Sequence, residues 1–243
     1  MRVALALIAS LALAGCGGGS TDGNVATAQG PAAPKVAAPA GKKWVDVVEK
    51  TPEGGMRQGN PNAPVKLVEF GSRSCPGCAY FATTAVEPLR EKYVSTGQVS
   101  YEFRDFPLHP QDLGLILIGH CVPTESFFPI LDGMYAEQKS FNDRAMQIPE
   151  TTYRQMQSMA PGDQAKQFVN LLGYADFMKQ RGVSQGQLDK CLSDQSAIDT
   201  VAKNAQAGVE KGVSGTPSFF INDVKFEGGW EQMEAALRAA GAR

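Results

Sequence analysis

The sequence predicts an α/β fold in which a large, all-helical insertion interrupts a sheet. Three observations predict it. A strand, a helix and a second strand follow one another across residues 65–104. Helical patterns punctuated by Pro and Gly fill about residues 107–212, and a hairpin and a last helix follow them. Strands and helices in this order are typical of a sheet covered by helices.

The strand–helix–strand unit has the clearest pattern. Residues 65–70 form a near-continuous apolar run, as expected of a strand covered on both faces. Residues 79–92 have apolar side chains at helical spacing, and Pro88 should kink this helix. Residues 99–104 alternate as a strand, so the two strands should be parallel with a right-handed crossover. The segments before this unit are an expected short edge strand and two turns, at residues 45–48, 54–55 and 59–64.

The insertion and the end of the chain complete the predicted layout. Five helical stretches are expected in the insertion, at residues 113–122, 127–138, 151–159, 163–180 and 184–211. Gly212 is placed to cap the last of them. A hairpin over residues 218–226 should turn at Asn222-Asp223, and a final helix should follow Gly228-Gly229.

The N-terminus predicts export. Arg2 precedes an apolar stretch that is shorter than the roughly 20 residues a bilayer span needs, so residues 1–15 are expected to be a signal peptide. The stretch ends in Leu13-Ala14-Gly15-Cys16, which resembles the bacterial lipoprotein box. That resemblance implies cleavage before Cys16 and lipidation of its thiol. An ordinary cleaved signal with an incidental Cys16 is the alternative.

The remaining composition predicts a tether and a globular domain. Residues 16–42 consist mainly of Gly, Ala, Pro, Ser and Thr and cannot bury enough surface to offset their ordering entropy. They are therefore expected to be a disordered tether, with the folded domain at residues 43–243. The chain of 243 residues carries a formal net charge of −2, which gives no electrostatic footprint for nucleic acid.

Cys75 and Cys78 are the strongest candidates for chemistry. They lie at the start of the helix that follows the 65–70 strand. A thiolate at a helix N-terminus is stabilised by unpaired N–H groups and by the macrodipole, and a thiol one turn later can form a disulfide with it. Half of a zinc site is the alternative, but such a site needs about four ligands, and His109 and His120 do not form a second ligand pair. No metal and no other cofactor is expected.

Cys121 and Cys191 are left when Cys16 is assigned to lipid. Export would place them in an oxidising compartment, so a structural disulfide between them is the leading prediction. Such a bridge would contribute about 2–4 kcal/mol. Two alternatives stay open, namely a relay pair that exchanges with the Cys75/Cys78 pair and two buried free thiols.

The layout and three local motifs resemble the DsbA family of thioredoxin-fold proteins. The motifs are Glu69 six residues ahead of Cys75-Pro76-x-Cys78, the Gly215-Thr216-Pro217 loop with its following strand, and Gly59-Asn60-Pro61-x-Ala63-Pro64. Together they cover residues 43–243. A CxxC motif alone is weak, but the CxxC motif, the Thr-Pro loop and the helical insertion in this order are strong. The resemblance implies a thioredoxin fold with a large helical insertion.

The resemblance also implies roles for individual residues. Cys75 resembles the exposed nucleophile with a lowered pKa, and Cys78 resembles the buried resolving thiol. Pro217 resembles the cis-proline beside the disulfide, and Thr216 would offer backbone groups to an extended substrate; an ordinary trans turn is the alternative. Glu69 resembles the buried carboxylate that helps move the proton of Cys78, unless it is a strand residue that faces solvent.

The dipeptide between the cysteines departs from the strong oxidases of this family. They have Pro-His, whereas this chain has Pro76-Gly77. We therefore expect a less stabilised thiolate and a less oxidising disulfide. The apolar Pro76 is expected to favour unfolded chains as substrates. The isomerases of the family have an N-terminal dimerisation domain, where only a tether is expected here.

These expectations describe a lipid-anchored, periplasm-facing thiol:disulfide oxidoreductase in the envelope of a Gram-negative-type bacterium. It would form disulfides in exported proteins and be reoxidised by a membrane redox partner. One alternative is a thioredoxin-like reductant that keeps periplasmic thiols reduced for cytochrome or copper-site maturation. Another is a non-catalytic binding lipoprotein with a static disulfide.

Overall fold

The computed structural model describes residues 31–243. The expected signal peptide, Cys16 and the first part of the expected tether lie outside these residues. Within residues 31–243, no helix combines the length and the apolar character needed to cross a membrane.

A six-stranded mixed sheet lies at the centre of the described part of the chain, with the strand order β1-β2-β4-β3-β5-β6. The predicted parallel pair is confirmed, with Val65 of β3 opposite Val99 of β4. The other neighbours in this sheet are antiparallel. The strands are β1 (Val48–Lys50), β2 (Met56–Gly59), β3 (Val65–Gly71), β4 (Val99–Asp105), β5 (Ser218–Ile221) and β6 (Val224–Phe226).

The helices confirm the predicted insertion between β4 and β5. Two helices link β3 to β4, seven form the insertion, and one follows β6 within the described residues. They are α1 (Pro76–Thr84), α2 (Val86–Lys92), α3 (Asp112–Gly119), α4 (Phe127–Met146), α5 (Glu150–Gln157), α6 (Pro161–Leu171), α7 (Tyr174–Gln180), α8 (Gln185–Leu192), α9 (Gln195–Glu210) and α10 (Trp230–Ala239).

Pro88 divides the helix that was expected over residues 79–92. The break falls at Ala85, which has φ −118° and ψ −29°, rather than at the proline itself. In a continuous helix the Pro88 ring would clash with the carbonyl four residues earlier, that of Thr84. Because α2 begins at Val86, Pro88 lies in its first turn, where the missing N–H needs no partner.

Two helices expected in the insertion are also divided. Gly173, with φ +87°, separates α6 from α7 in a conformation that favours glycine. Asp194 begins α9 as its N-cap by accepting a hydrogen bond from the backbone N–H of Ala197 (3.1 Å). The predicted cap at Gly212 and the predicted Asn222-Asp223 turn both have positive φ, as expected.

The edge of the sheet differs from the prediction. Residues 45–48 are not a strand, because a 3₁₀ helix spans Trp44–Asp46 and β1 begins at Val48. The buried Trp44 side chain fixes this turn, since its Nε1 donates to Val36 O at 2.6 Å. The sequence did not predict β2, because its four residues lie between the two glycine-rich turns.

Residues 31–42 belong to the expected disordered tether but lie against the domain. Ala33 N donates to Gly241 O (2.9 Å), and Val36 N donates to Thr96 O (3.0 Å). Backbone groups make these contacts, so the composition of the segment gives no sign of them. They hold this segment beside the starting ends of β3 and β4.

Candidate functional site

The Cys75-Pro76-Gly77-Cys78 segment joins the end of β3 to the start of α1. β3 ends at Gly71, and Cys75 N then donates to Ser72 O (3.2 Å) in a tight turn. Cys75 is the N-cap of α1, and Pro76 occupies the first helical position, where a missing N–H costs nothing. This local order places the sulfur of Cys75 at the N-terminus of a helix.

Cys75 is buried, which corrects the expectation of an exposed nucleophile. Only 7% of the residue is exposed, because the loop with the cis peptide bond Thr216-Pro217 covers it. Cys75 Sγ donates to Thr216 O at 3.2 Å. A Cβ atom at Gly77 would lie 3.1 Å from Pro217 Cδ, so glycine lets the proline lie close over the dithiol. Substrate access to the sulfur is therefore narrow and borders on Pro217.

The environment of Cys75 favours its thiolate. A hydrogen bond from Cys78 is the largest cause that lowers the pKa of Cys75, to about 5. Burial opposes this effect, while Thr216 and the backbone N–H groups of Cys78 and Gly77 support it. Cys75 is thus mainly a thiolate at neutral pH without a charged side chain at position 77.

Cys78 has the opposite character. It is completely buried, and burial raises its pKa, with the neighbouring Cys75 and Glu69 raising it further. One thiol is therefore ionised at neutral pH while the other holds its proton. This asymmetry matches the nucleophilic and resolving roles that the family resemblance implies.

Replacing Cys78 by alanine should raise the pKa of Cys75 by at least about one unit, because the largest stabilising hydrogen bond is lost. The thiolate absorbance of the reduced protein near 240 nm measures this value during a pH titration. Cys78→Ser keeps a hydroxyl donor and should leave the pKa closer to about 5. An unchanged pKa in both variants would show that the helix N-terminus alone stabilises the thiolate.

Glu69 lies in β3 below the dithiol and is 1% exposed, so it does not face solvent. Tyr101 OH of β4 donates to Glu69 Oε2 at 2.6 Å, while Oε1 has no partner among the described residues. Burial raises the pKa of Glu69 to about 8, and the Tyr101 hydrogen bond opposes this rise. A carboxyl group that titrates near neutral pH can both donate and accept a proton there.

Tyr101 is a site residue that the sequence did not single out. The alternation of β4 was the available signal, because it places Val99, Tyr101 and Phe103 on one face. A tyrosine on a buried face needs a partner for its hydroxyl group. Glu69 is that partner.

The raised pKa of Glu69 predicts a pH-dependent stability of the oxidised protein, in which Cys75 and Cys78 do not titrate. The folded protein keeps a proton that the unfolded chain releases above about pH 4.5. This contribution is complete below that pH and is lost as pH rises through about 8. We expect the free energy of unfolding to fall by a few kcal/mol between about pH 5 and 8.

Glu69→Gln provides the control, because it is neutral throughout this range. Denaturant unfolding of both oxidised proteins across the pH range measures the difference. If the wild type and Glu69→Gln lost stability equally with rising pH, another group would be responsible.

Arg73 anchors the turn before Cys75 in the protein interior. Its side chain is fully buried, and its Nε donates to Asp105 Oδ1 at 2.9 Å. The guanidinium also lies 5.2 Å from the ring centroid of Phe127. His120 Nε2 lies 2.7 Å from Asp105 Oδ2. Burial alone would raise the pKa of Asp105, but Arg73 and His120 hold it below its usual range.

The structure brings together most of the predicted site residues. Cys75, Cys78 and the Thr216-Pro217 loop form one site, with Glu69 beneath it and Pro76 exposed at its rim. Cys121 and Cys191 form a disulfide elsewhere, between the end of α3 and α8, with their Cα atoms 6.0 Å apart. In the described residues, no group of three or more His, Cys, Asp or Glu side chains is placed to hold a metal ion.

Comparison with protein families and curated proteins gives consistent matches. A family model described as thioredoxin matches residues 51–239. A putative protein-disulfide oxidoreductase of Rickettsia bellii is 28% identical over 188 residues, or 76% of this chain and 63% of that protein. A probable disulfide bond formation protein D of Bacillus cereus is 27% identical over 183 residues, or 74% of this chain and 75% of that protein. The chain thus spans less than two thirds of the Rickettsia relative.

Solved structures confirm the predicted thioredoxin fold with a helical insertion. A protein-disulfide isomerase of Novosphingobium aromaticivorans has a TM-score of 0.71 and 29% identity, over 74% of this chain and 96% of that one. The alpha-DsbA1 protein of Wolbachia pipientis has a TM-score of 0.62 and 21% identity, over 79% of this chain and 92% of that one. At this identity, the second likeness shows the fold alone.

Proposed function

The chain belongs to the thioredoxin family, and we propose that it is a thiol:disulfide oxidoreductase that forms disulfides in exported proteins through Cys75 and Cys78. One observation carries this proposal: a stabilised thiolate at the start of α1 lies beside a protonated, buried thiol and under a cis-proline loop. The curated relatives named above support the same chemistry.

In the oxidised protein, a substrate thiolate attacks Cys75 Sγ. The Cys75–Cys78 bond breaks, and its electron pair goes to Cys78 as a mixed disulfide forms on Cys75. The basic Cys78 sulfur needs a proton as it leaves, and protonated Glu69 supplies it. The Thr216 carbonyl, next to Cys75 Sγ, positions the extended substrate.

A second substrate thiolate then attacks the substrate sulfur of the mixed disulfide. Cys75 leaves as a thiolate, which Cys78 and the helix N-terminus stabilise. The substrate gains a disulfide, and the Cys75/Cys78 pair gains two electrons. A membrane redox partner takes up these electrons and restores the disulfide.

The lowered pKa of Cys75 supports the oxidising direction. An ionised nucleophilic thiol stabilises the reduced form of the pair, which makes the disulfide a stronger oxidant. A reductant would need the opposite balance. The absence of His at position 77 still limits this effect relative to the strong oxidases.

We propose that lipidated Cys16 anchors the domain at the outer face of a membrane, in the periplasm. The contacts of residues 31–42 support this arrangement. Val36 bonds to Thr96, just before β4 begins, whereas Cys75 follows the opposite end of the parallel strand β3. A tether that enters there leaves the active site facing away from the bilayer, towards exported chains.

Trapping the thiols of growing cells with a mass-adding maleimide tests both parts of the proposal. A mainly oxidised Cys75/Cys78 pair supports the oxidase, and a mainly reduced pair supports the periplasmic reductant. Fractionation of the same cells tests the anchor, because Cys16→Ser should release the protein from the membrane. A disulfide that mild dithiothreitol cannot reduce would favour the non-catalytic binding lipoprotein.

A further inference from the structure

Three side chains on one face of α4 satisfy the backbone carbonyls of the turn before the dithiol. The three positions, i, i+3 and i+7, lie on the same side of the helix. The hydrogen bonds are Tyr135 OH to Ser72 O (3.2 Å), Gln138 Nε2 to Arg73 O (2.9 Å) and to Cys75 O (3.0 Å), and Asn142 Nδ2 to Ser74 O (3.1 Å). Four consecutive carbonyls, those of residues 72–75, therefore point at one helix of the insertion.

Gln138 makes the closest connection to the nucleophile. It is 3% exposed, and both of its amide hydrogens are used, one on Arg73 O and one on Cys75 O. Because both partners are carbonyls, only the amide nitrogen can face them, and the orientation of the amide is unambiguous. Cys75 O also accepts from Ala79 N (3.1 Å), the first hydrogen bond of α1.

We propose that Gln138 is a positioning residue that holds the turn and the first turn of α1 in register, so that Cys75 Sγ meets the N-terminus of the helix. The amide joins the carbonyl before the nucleophile to the carbonyl of the nucleophile itself. It thereby fixes the backbone on both sides of Ser74. The helical insertion thus contributes to the reactivity of the dithiol as well as to the cover of the sheet.

The electrostatics of the site agree with this role. The backbone N–H groups of Gly77 and Cys78 contribute to thiolate stabilisation only while they point at the sulfur. The titratable groups that act on Cys75 or are acted on by it are Cys78 in α1 and Glu69 in β3. Gln138 carries no charge, so its substitution changes the geometry of the turn without adding a charge to the site.

Gln138→Met tests the proposal, because it keeps an unbranched side chain and removes both donors. Titration of the thiolate absorbance of the reduced protein should show a rise of about one unit in the pKa of Cys75. Gln138→Ala leaves space for water to reach both carbonyls and should give a smaller rise. Circular dichroism shows whether each variant is folded.

Asn142→Ala is the matched control, since it removes a donor from the same turn on the same helix but not from Cys75. It should lower the melting temperature and leave the pKa of Cys75 unchanged. A folded Gln138 variant with a lower melting temperature and an unchanged Cys75 pKa would overturn the proposal. An equal pKa shift in Asn142→Ala would also overturn the assignment to Gln138.

The inference rests on the proposed exchange chemistry at Cys75, but its measurement needs no substrate. If the wild-type protein failed to oxidise thiols, the proposed function would fail and the Gln138 result would still stand. If only the Gln138 result failed, the exchange chemistry would be unaffected.

Discussion

Cys75→Ser should reduce the oxidation of a reduced, unfolded model protein to the uncatalysed rate. The variant cannot form the Cys75–Cys78 disulfide, so it has no bond for a substrate thiolate to attack. The loss should be complete, since every step of the proposed mechanism passes through Cys75 Sγ. The measurement is the appearance of disulfides, or of enzyme activity, in a model protein such as reduced ribonuclease with stoichiometric oxidised protein.

Two controls separate this loss from misfolding. Cys78→Ser keeps the nucleophile and should accumulate a mixed disulfide with the substrate, visible as an added mass on a non-reducing gel. Cys121→Ser with Cys191→Ser removes the other disulfide and should keep the oxidising activity, although it lowers stability by about 2–4 kcal/mol. Activity that persisted in Cys75→Ser, or vanished only in the Cys121/Cys191 variant, would place the redox pair elsewhere.

Arg73→Ala should destabilise the protein by about 3–5 kcal/mol, the largest stability effect expected from a single substitution in the site. The change leaves the buried Asp105 carboxylate without its guanidinium partner. It also removes the cation from the faces of Phe103 and Phe127 and leaves a cavity. Denaturant unfolding of the oxidised protein at neutral pH measures the loss.

Arg154→Ala is the matched control for this prediction. Arg154 also pairs with a carboxylate, Glu150, at 2.9 Å, but both side chains are more than 70% exposed. An exposed pair of this kind contributes only about 0.5 kcal/mol or less. Equal losses in the two variants would contradict the role of Arg73 as the buried anchor of the turn before Cys75.

The sequence predicted the central strands and the chemistry of the site because their signals are local. The apolar run of β3, the alternation of β4 and the Cys75-Pro76-Gly77-Cys78 segment each carry their meaning within a few residues. The order of these elements was sufficient to predict the parallel strands and the helical insertion between β4 and β5. The break before Pro88 was displaced, since a proline disturbs the helix four residues before itself.

The parts that the sequence did not predict depend on contacts between distant segments. Cys75 is buried because the Thr216-Pro217 loop folds over it from 141 residues away. Tyr101 is recognisable as the partner of Glu69 only when β3 and β4 are aligned. Gln138 meets Cys75 across 63 residues, and no local pattern marks it.

The central claim is that Cys75 and Cys78 form an oxidising redox pair, and their reduction potential tests it most directly. Equilibration of the purified protein with glutathione buffers of known ratio gives this value. A thiolate stabilised to a pKa of about 5 predicts a potential more positive than about −200 mV. A value near the roughly −270 mV of reducing thioredoxins would contradict the account.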